Sequence, residues 1–352
     1  MLWNGLSLQV ICDQNNSYEL EAFQNDIAYC RVVRKWVRKK YKFYVQIVFK
    51  GIPPAKRNKE TGHFKRTTGS GDVGLDIGLS TLAIVSEKKV KLLVLADRVR
   101  SFEGEKRLLL RKMNRSRRAM NPSYFNPDGT VKSIWNKEWQ KSKHYLSYQG
   151  KLREIYRKQA AVRKYQHECL ANEIVTMGDK IYVETMNFLD LAKRKKNTTV
   201  NERTDSFIKK KRFGKSIANR SPAMLLEIIN RKLQYHGNSL IKIHTHLAKA
   251  SQYNHLNKTF TKKELSQRWN DFNGVQVQRD LYSAFLIMSI NDDLQTYNEE
   301  KCISRFEEFL SKHHIEIKRC KKNEYYLISN NRMLTCVLCH HKTLLRGLMV
   351  KV

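Results

Sequence analysis

At 352 residues, with 67 Lys and Arg against 33 Asp and Glu and a net charge of +34, the chain is long enough for two or three folded units and is basic throughout. Its 41% hydrophobic and 10% aromatic content is that of a globular protein, and no uninterrupted apolar stretch approaches the roughly 20 residues of a spanning helix. A surplus of this size calls for an anionic partner; nucleic acid fits better than a membrane surface, because the positive charge is spread along the chain rather than gathered on one amphipathic face.

The first 70 residues read as a small β-rich, abbreviated domain, with a strand at Tyr44-Val45-Gln46-Ile47-Val48-Phe49 and a polar linker from Lys56 to Gly71. Three short apolar runs follow, Val73 to Ile77, Thr81 to Val85 and Lys91 to Ala96. Their short connections demand an antiparallel meander. Strand alternation puts Val73, Leu75 and Ile77 on one face and Gly74, Asp76 and Gly78 on the other, so Asp76 is expected on a face cleared of side chains. Residues 102–178 read as a helical hairpin broken at Asn121-Pro122 and Asn126-Pro127-Asp128-Gly129, with its second arm beginning at Trp135 and Leu152, Ile155, Tyr156, Ala160, Val162 and Leu170 as its apolar stripe. The first arm carries Arg111, Lys112, Arg115, Arg117 and Arg118 without interleaved acids, and these are candidate phosphate contacts, although such a run is also what a solvated helix face looks like.

Lys180 to Thr185 is a further strand, with Glu184 and Tyr182 on one face. Basic runs at Lys193-Arg194-Lys195-Lys196 and Lys209-Lys210-Lys211-Arg212 are the next candidate nucleic-acid contacts. Ser221 and Pro222 then start a helix as N-cap and first residue, with Leu226, Ile229 and Leu233 buried. Leu240 to His244 is a fifth strand, and a last core helix from Arg279 holds Asp280 in its first turn, where the helix dipole favours a carboxylate. Beyond it a short helix is expected around Glu307, Glu308, Phe309 and Leu310 and a strand at Tyr325 to Ser329. The seven cysteines and the start of the chain fit a reduced, cytoplasmic setting; Cys336-Val-Leu-Cys339, followed by His340 and His341, could supply half or more of a zinc site.

Asp76, Glu184 and Asp280 are therefore three acids raised out of apolar or basic surroundings on separate elements. Each has an ordinary structural explanation by itself. Together, in an order that suits an RNase H-like sheet, they are hard oxygen ligands for Mg²⁺ or Mn²⁺ acting on a phosphodiester, with Gly74 and Gly78 leaving room for substrate backbone.

The runs Val73-Gly-Leu-Asp-Ile-Gly-Leu-Ser-Thr-Leu-Ala83, Ile181-Tyr-Val-Glu-Thr-Met-Asn187, Phe213-Gly-Lys-Ser-Ile217, Lys232-Leu-Gln-Tyr-His-Gly237, Ala250-Ser-Gln252 and Gln278-Arg-Asp-Leu-Tyr-Ser-Ala284 resemble the RuvC-type core of the TnpB family, the proteins of IS200/IS605 and IS607 transposons related to the compact Cas12 nucleases. The resemblance spans about residues 30–292. It implies an α/β fold with an RNase H-like (RuvC-type) core over 71–292, an inserted helical hairpin, and a small N-terminal β-rich domain over 1–70, with 293–352 unassigned. It also implies an RNA-guided, Mg²⁺-dependent DNA endonuclease of a prokaryotic, nucleoid-associated kind, with guide RNA and double-stranded DNA as partners, Asp76, Glu184 and Asp280 at the catalytic metal-binding positions, and Arg279 among the nucleic-acid contacts. Two departures stand out. The family's four-cysteine zinc motif has no cysteine in the corresponding residues 246–278, where packing of Tyr253, Trp269 and Phe272 is expected instead, and Tyr282 stands where the family has Asn. A guided DNA-binding protein that no longer cuts is the alternative.

Overall fold

A computed structural model describes residues 2–38, 40–52, 55, 57–58, 60–193, 200–201, 206–207, 213–264 and 267–322. In chain order the elements are β1 (Leu2–Trp3), β2 (Leu6–Ser7), α1 (Ser17–Ala22), β3 (Ile27–Val37), β4 (Lys40–Phe49), β5 (Asp72–Ile77), β6 (Thr81–Ser86), β7 (Val90–Val94), α2 (Glu103–Met120), α3 (Lys143–Met177), β8 (Lys180–Glu184), α4 (Phe188–Ala192), β9 (Val200–Asn201), β10 (Ser206–Phe207), α5 (Gly214–Arg220), α6 (Pro222–Gln234), β11 (Ile241–Ile243), α7 (Thr245–Ala248), β12 (Tyr253–Asn254), β13 (Thr259–Phe260), β14 (Trp269–Phe272), β15 (Val275–Gln278), α8 (Arg279–Met288) and α9 (Glu299–Lys322). They form two compact units, one of residues 1–65 and 96–169, the other of 66–95 and 170–352. No helix among the described residues is long and apolar enough to cross a membrane.

In the first unit, β3 and β4 pair along nearly their whole length as an antiparallel hairpin. The expected strand at 44–49 is the second half of β4; its partner β3 was not anticipated. Leu109 and Met113 of α2 meet Leu152 and Ile155 of α3 in a small apolar cluster. Further along the pair the interior turns polar. Buried Glu103 forms an ion pair with buried Lys106, and Gln159 Nε2 donates to Glu103 Oε1 at 3.4 Å. The stripe predicted for α3 is corrected accordingly, since Gln159 is the buried residue where Ala160 was expected, and Tyr156 is exposed. The start of α3 also moves, from Trp135 to Lys143. Trp135 is 90% exposed, and the preceding segment is held instead by Trp139, whose ring packs edge-on against Tyr124 and Phe125.

The second unit is built on a five-stranded mixed sheet of order β11-β8-β5-β6-β7. The meander β5–β6–β7 is antiparallel, as its short links require, while β8 and β11 run parallel to β5. Both faces are covered. Val73, Leu75, Ile77, Ile181 and Val183 pack against Ile174 and Val175 of α3 and Leu225, Ile229 and Leu233 of α6. On the other face Ala83, Val85, Tyr182 and Ile243 pack against Leu281, Ala284, Phe285 and Met288 of α8, with Phe309 and Ile317 of α9 in the same cluster. Every residue of α8 from Leu281 to Met288 is buried.

Two local expectations change. Ser221 precedes α6, but it lies in the left-handed region (φ 44°) as the C-cap of α5, its N–H donating to Ile217 O, and its side chain makes no capping hydrogen bond to α6; Leu225 and Ile228 join Ile229 and Leu233 on the buried side. The helix expected as a short one around 307–310 is α9, 24 residues long. It lies along the edge strand. Glu316 Oε1 accepts from Leu92 N at 2.7 Å and Arg319 Nη2 donates to Leu92 O at 3.2 Å, so side chains occupy backbone groups that would otherwise invite another strand. Arg305 bridges to Asp72 at 3.6 Å and Glu87 at 2.5 Å. The strand expected at Tyr325 to Ser329 lies outside the described residues.

Candidate functional site

Asp76 and Glu184 are neighbours because of register. Parallel pairing joins Gly74 to Tyr182 and Leu75 to Val183, so one further step sets Asp76 beside Glu184 on the same face of adjacent strands. That face is the one covered by α8. The expectation that Gly74 clears space for substrate is corrected: a Cβ on Gly74 would stand 2.0 Å from Ala284 O and 2.6 Å from Met288 N. The glycine admits the α8 backbone. Asp280 is four residues before Ala284, about 6 Å along the helix, and Asp76 is two residues beyond Gly74, about 6.6 Å along the strand; Asp280 is among the charges that act on Asp76, so the first turn of α8 lies at the Asp76 end of β5. Gly78 serves its hairpin, where its N–H donates to Thr81 O at 2.9 Å.

The start of α8 is fixed from three directions. Gln278, fully buried, is the N-cap, its Oε1 accepting from Leu281 N at 2.7 Å. Its own N–H donates to His313 Nε2 of α9 at 3.0 Å. Arg279 Nη1 donates to Gln267 O at 3.2 Å and to Glu264 O at 3.4 Å, and its Nε stands 3.5 Å from Asp280 Oδ1. The Arg279 side chain is only 13% exposed and so is directed into the fold. Sequence reasoning missed Gln278 and His313, because Gln is an uncommon N-cap and nothing in the sequence around His313 links it to Gln278.

The electrostatics follow from this crowding. Burial, then Asp280, then Glu184 raise the Asp76 carboxyl well above its usual range, against the opposing pull of Arg279. Burial pushes Glu184 up to about 7. Unscreened carboxylates that resist ionisation are what a hard divalent cation would stabilise, and the all-oxygen donor set suits Mg²⁺ or Mn²⁺. Among the described residues, no three His, Cys, Asp or Glu side chains already stand as a closed metal-ligand group. A cation here would have to draw the three acids together.

The described residues of the cysteine-free insert form two short hairpins packed on aromatic side chains. The hairpins β12–β13 and β14–β15 carry Tyr253, stacked on Tyr297 with ring centroids 4.6 Å apart, and Phe272, 4.8 Å from the Tyr282 ring. Tyr253 and Phe272 are buried and Trp269 packs against the same cluster, as expected. His255 N donates to Tyr282 Oη at 3.1 Å, leaving the hydroxyl hydrogen for His255 Nδ1 at 2.7 Å. Burial lowers His255 to about 4, which keeps it neutral. The two departures from the TnpB pattern thus meet in one contact. Zinc does not fit residues 246–278.

The basic candidates are scattered. Arg111 and Arg115 are exposed on α2, while Arg117 lies over the Trp139 ring at 5.0 Å, Arg118 over Phe125 at 5.6 Å and Lys112 over Tyr148 at 5.7 Å. Lys193 forms an ion pair with Asp190 at the end of α4. Arg194, Lys195, Lys196, the run 209–212, Cys336 and Cys339 lie outside the described residues.

No family model matches the chain, and no curated protein matches it. Among solved structures it has a distant similarity to a cryo-EM structure of a CRISPR-Cas12f ternary complex, at 16% identity and a TM-score of 0.30, covering 81% of this chain. The chain spans half of that chain's length.

Proposed function

We propose that the chain is a TnpB-like, RNA-guided DNA endonuclease whose phosphodiester hydrolysis depends on Mg²⁺ held by Asp76, Glu184 and Asp280. The observation that carries this reading is the pairing register that sets Asp76 beside Glu184 on adjacent parallel strands, with Asp280, from the start of α8, among the charges that raise the Asp76 carboxyl. The resemblance of the motifs and the net charge of +34 support it from the sequence. A bound divalent cation supplies an activated water and a charge sink for the leaving oxygen. On this reading the Gln278 cap and the Gln278–His313 contact would hold the first turn of α8, and with it Asp280, against the Asp76 strand.

The second reading, a guided binder that does not cut, is favoured by one observation. Arg279 lies beside Asp280 as an internal countercharge, competing with a cation for that carboxylate. The two readings part in one experiment. Protein purified with its bound RNA is given DNA matching that RNA in Mg²⁺ or in chelator. Cutting only in Mg²⁺, lost in Asp76→Ala, supports the nuclease. Cutting retained by Asp76→Ala would remove the acids from the mechanism, and matched binding without cutting would establish the binder.

A further inference from the structure

Between α2 and the first turn of α3 lies a cleft of about 340 Å³ lined by Lys112, Arg115, Ser116, Ser142, His144 and Tyr148. Its position is built rather than incidental. The hydroxyls of Ser116 and Ser142 are hydrogen-bonded at 2.7 Å, tying α2 to the residue that precedes α3. Ser142 Oγ also accepts from Tyr145 N at 3.0 Å and Ser142 O from Leu146 N at 3.1 Å, so Ser142 orders the start of the 35-residue helix. The partial positive charge of that helix end adds to the two cations. Among the described residues no carboxylate lines the cleft to neutralise them.

The other wall is aromatic. His144 is stacked on Tyr148 with ring centroids 6.4 Å apart and planes 26° from parallel, and Lys112 Nζ stands 5.7 Å from the Tyr148 centroid. Tyr148 packs its inner side on the Leu109–Met113–Leu152–Ile155 cluster, which fixes the ring, while His144 is exposed. Two cations and two hydroxyls beside a fixed tyrosine ring and an exposed imidazole match the two halves of a nucleotide. The volume is at the small end of ligand sites, roughly 300–1,000 Å³, and a duplex cannot enter it.

We propose that this cleft is a subsite for one nucleotide of a single strand, with the phosphate held by Lys112 and Arg115 beside Ser116 and Ser142 and the base laid on the His144–Tyr148 rings. It deepens the nucleic-acid-binding part of the proposed function and rests on that part alone, independently of the three acids.

The test uses the full chain in chelator, with a labelled single-stranded oligonucleotide and a duplex of the same length, titrated at several salt concentrations. Tyr148→Leu keeps the inner packing and removes the stacking surface, and His144→Ala changes an exposed residue that folding does not need. Each should weaken single-strand binding about 10-fold, a typical loss for one base–aromatic stack, while leaving duplex binding and the salt slope unchanged. Lys112→Ala and Arg115→Ala should each reduce the salt slope by about 1. Single-strand affinity unchanged in both ring variants, or an equal loss for duplex and single strand, overturns the subsite. Wild-type protein that binds neither oligonucleotide overturns the nucleic-acid reading itself, a different outcome from failure of the cleft.

Discussion

The hydroxyl of Tyr282 satisfies two buried groups at once, the His255 N–H and His255 Nδ1, inside a cage formed by Phe272, Phe285 and Phe306. His255 Nε2 has no hydrogen-bond partner among the described residues, and the imidazole ring packs edge-on against Phe306 with ring centroids 4.5 Å apart. The pair therefore does structurally what a metal would do in a knuckle: it ties the β12 hairpin to α8 through a single rigid contact. Tyr282→Phe keeps the packing and strips both bonds, so it should cost about 1–3 kcal/mol in chemical denaturation, the penalty for stranding buried polar groups. Chelator should leave the melting temperature of wild type unchanged. A chelator-induced drop in protein already free of Mg²⁺ would mean that zinc contributes to the fold. The sequence announced the absent cysteines and the Tyr at position 282, but not that the two are one feature, because their side chains meet only after the chain has turned through two hairpins.

Among the elements, α8 is set by the absence of a single Cβ beneath it. Ala284 O and Met288 N would lie 2.0 and 2.6 Å from a methyl on Gly74, and both belong to the helix backbone, which cannot rotate away as a side chain could. Gly74→Ala should therefore lift α8, destabilise the protein by roughly 3 kcal/mol or more, and carry Asp280 away from Asp76, so that any Mg²⁺-dependent cutting falls much further than stability alone explains. Gly104→Ala in α2, where a Cβ meets nothing within 4 Å, is the matched control and should be neutral or slightly stabilising. A Gly74→Ala protein as stable as wild type would show that α8 does not press on β5. The meander β5–β7 and strand β8 were legible in the sequence because strict alternation and links of a few residues leave one topology. Elements held by side chains from elsewhere were not. The segment ahead of α3 depends on Trp139 meeting Tyr124 and Phe125, the interior beyond Leu152 is the polar set Glu103, Lys106 and Gln159, and α9 is fastened by Glu316 and Arg319 to Leu92. The first two leave no apolar period to read; α9 carries one in Cys302, Phe306, Phe309, Ile317 and Cys320, but the contacts that fasten it to Leu92 are polar.

For the whole molecule, buried titratable groups pull stability in opposite directions with pH. Glu184 is raised from 4.5 to about 7, so its contribution is fully present below pH 4.5 and is lost as pH rises through about 7. Asp76 shifts the same way. His255 and His313 are each lowered from 6.5 to about 4, so theirs is present above pH 6.5 and is lost as pH falls through about 4. Each shift of about 2.5 units corresponds to as much as roughly 3 kcal/mol. The metal-free protein should therefore melt lower on both sides of an optimum near pH 6, with the acid side set by the two histidines and the alkaline side by the two acids. On the proposed reading a divalent cation acts only on the alkaline side. Mg²⁺ would bind the ionised carboxylates, so its effect on melting temperature should be near zero at pH 5 and largest at pH 8. Glu184→Gln separates stability from chemistry, since it removes a charge that the fold resists: in the absence of Mg²⁺ it should melt higher than wild type at pH 8, show a reduced response to Mg²⁺, and cut nothing. Differential scanning fluorimetry across pH 4 to 9, with and without Mg²⁺, reads all of these together. A Glu184→Gln protein that melts lower than wild type at pH 8 without metal would mean that Glu184 is ionised and satisfied in the fold, and the case for a cation drawing the three acids together would fall with it.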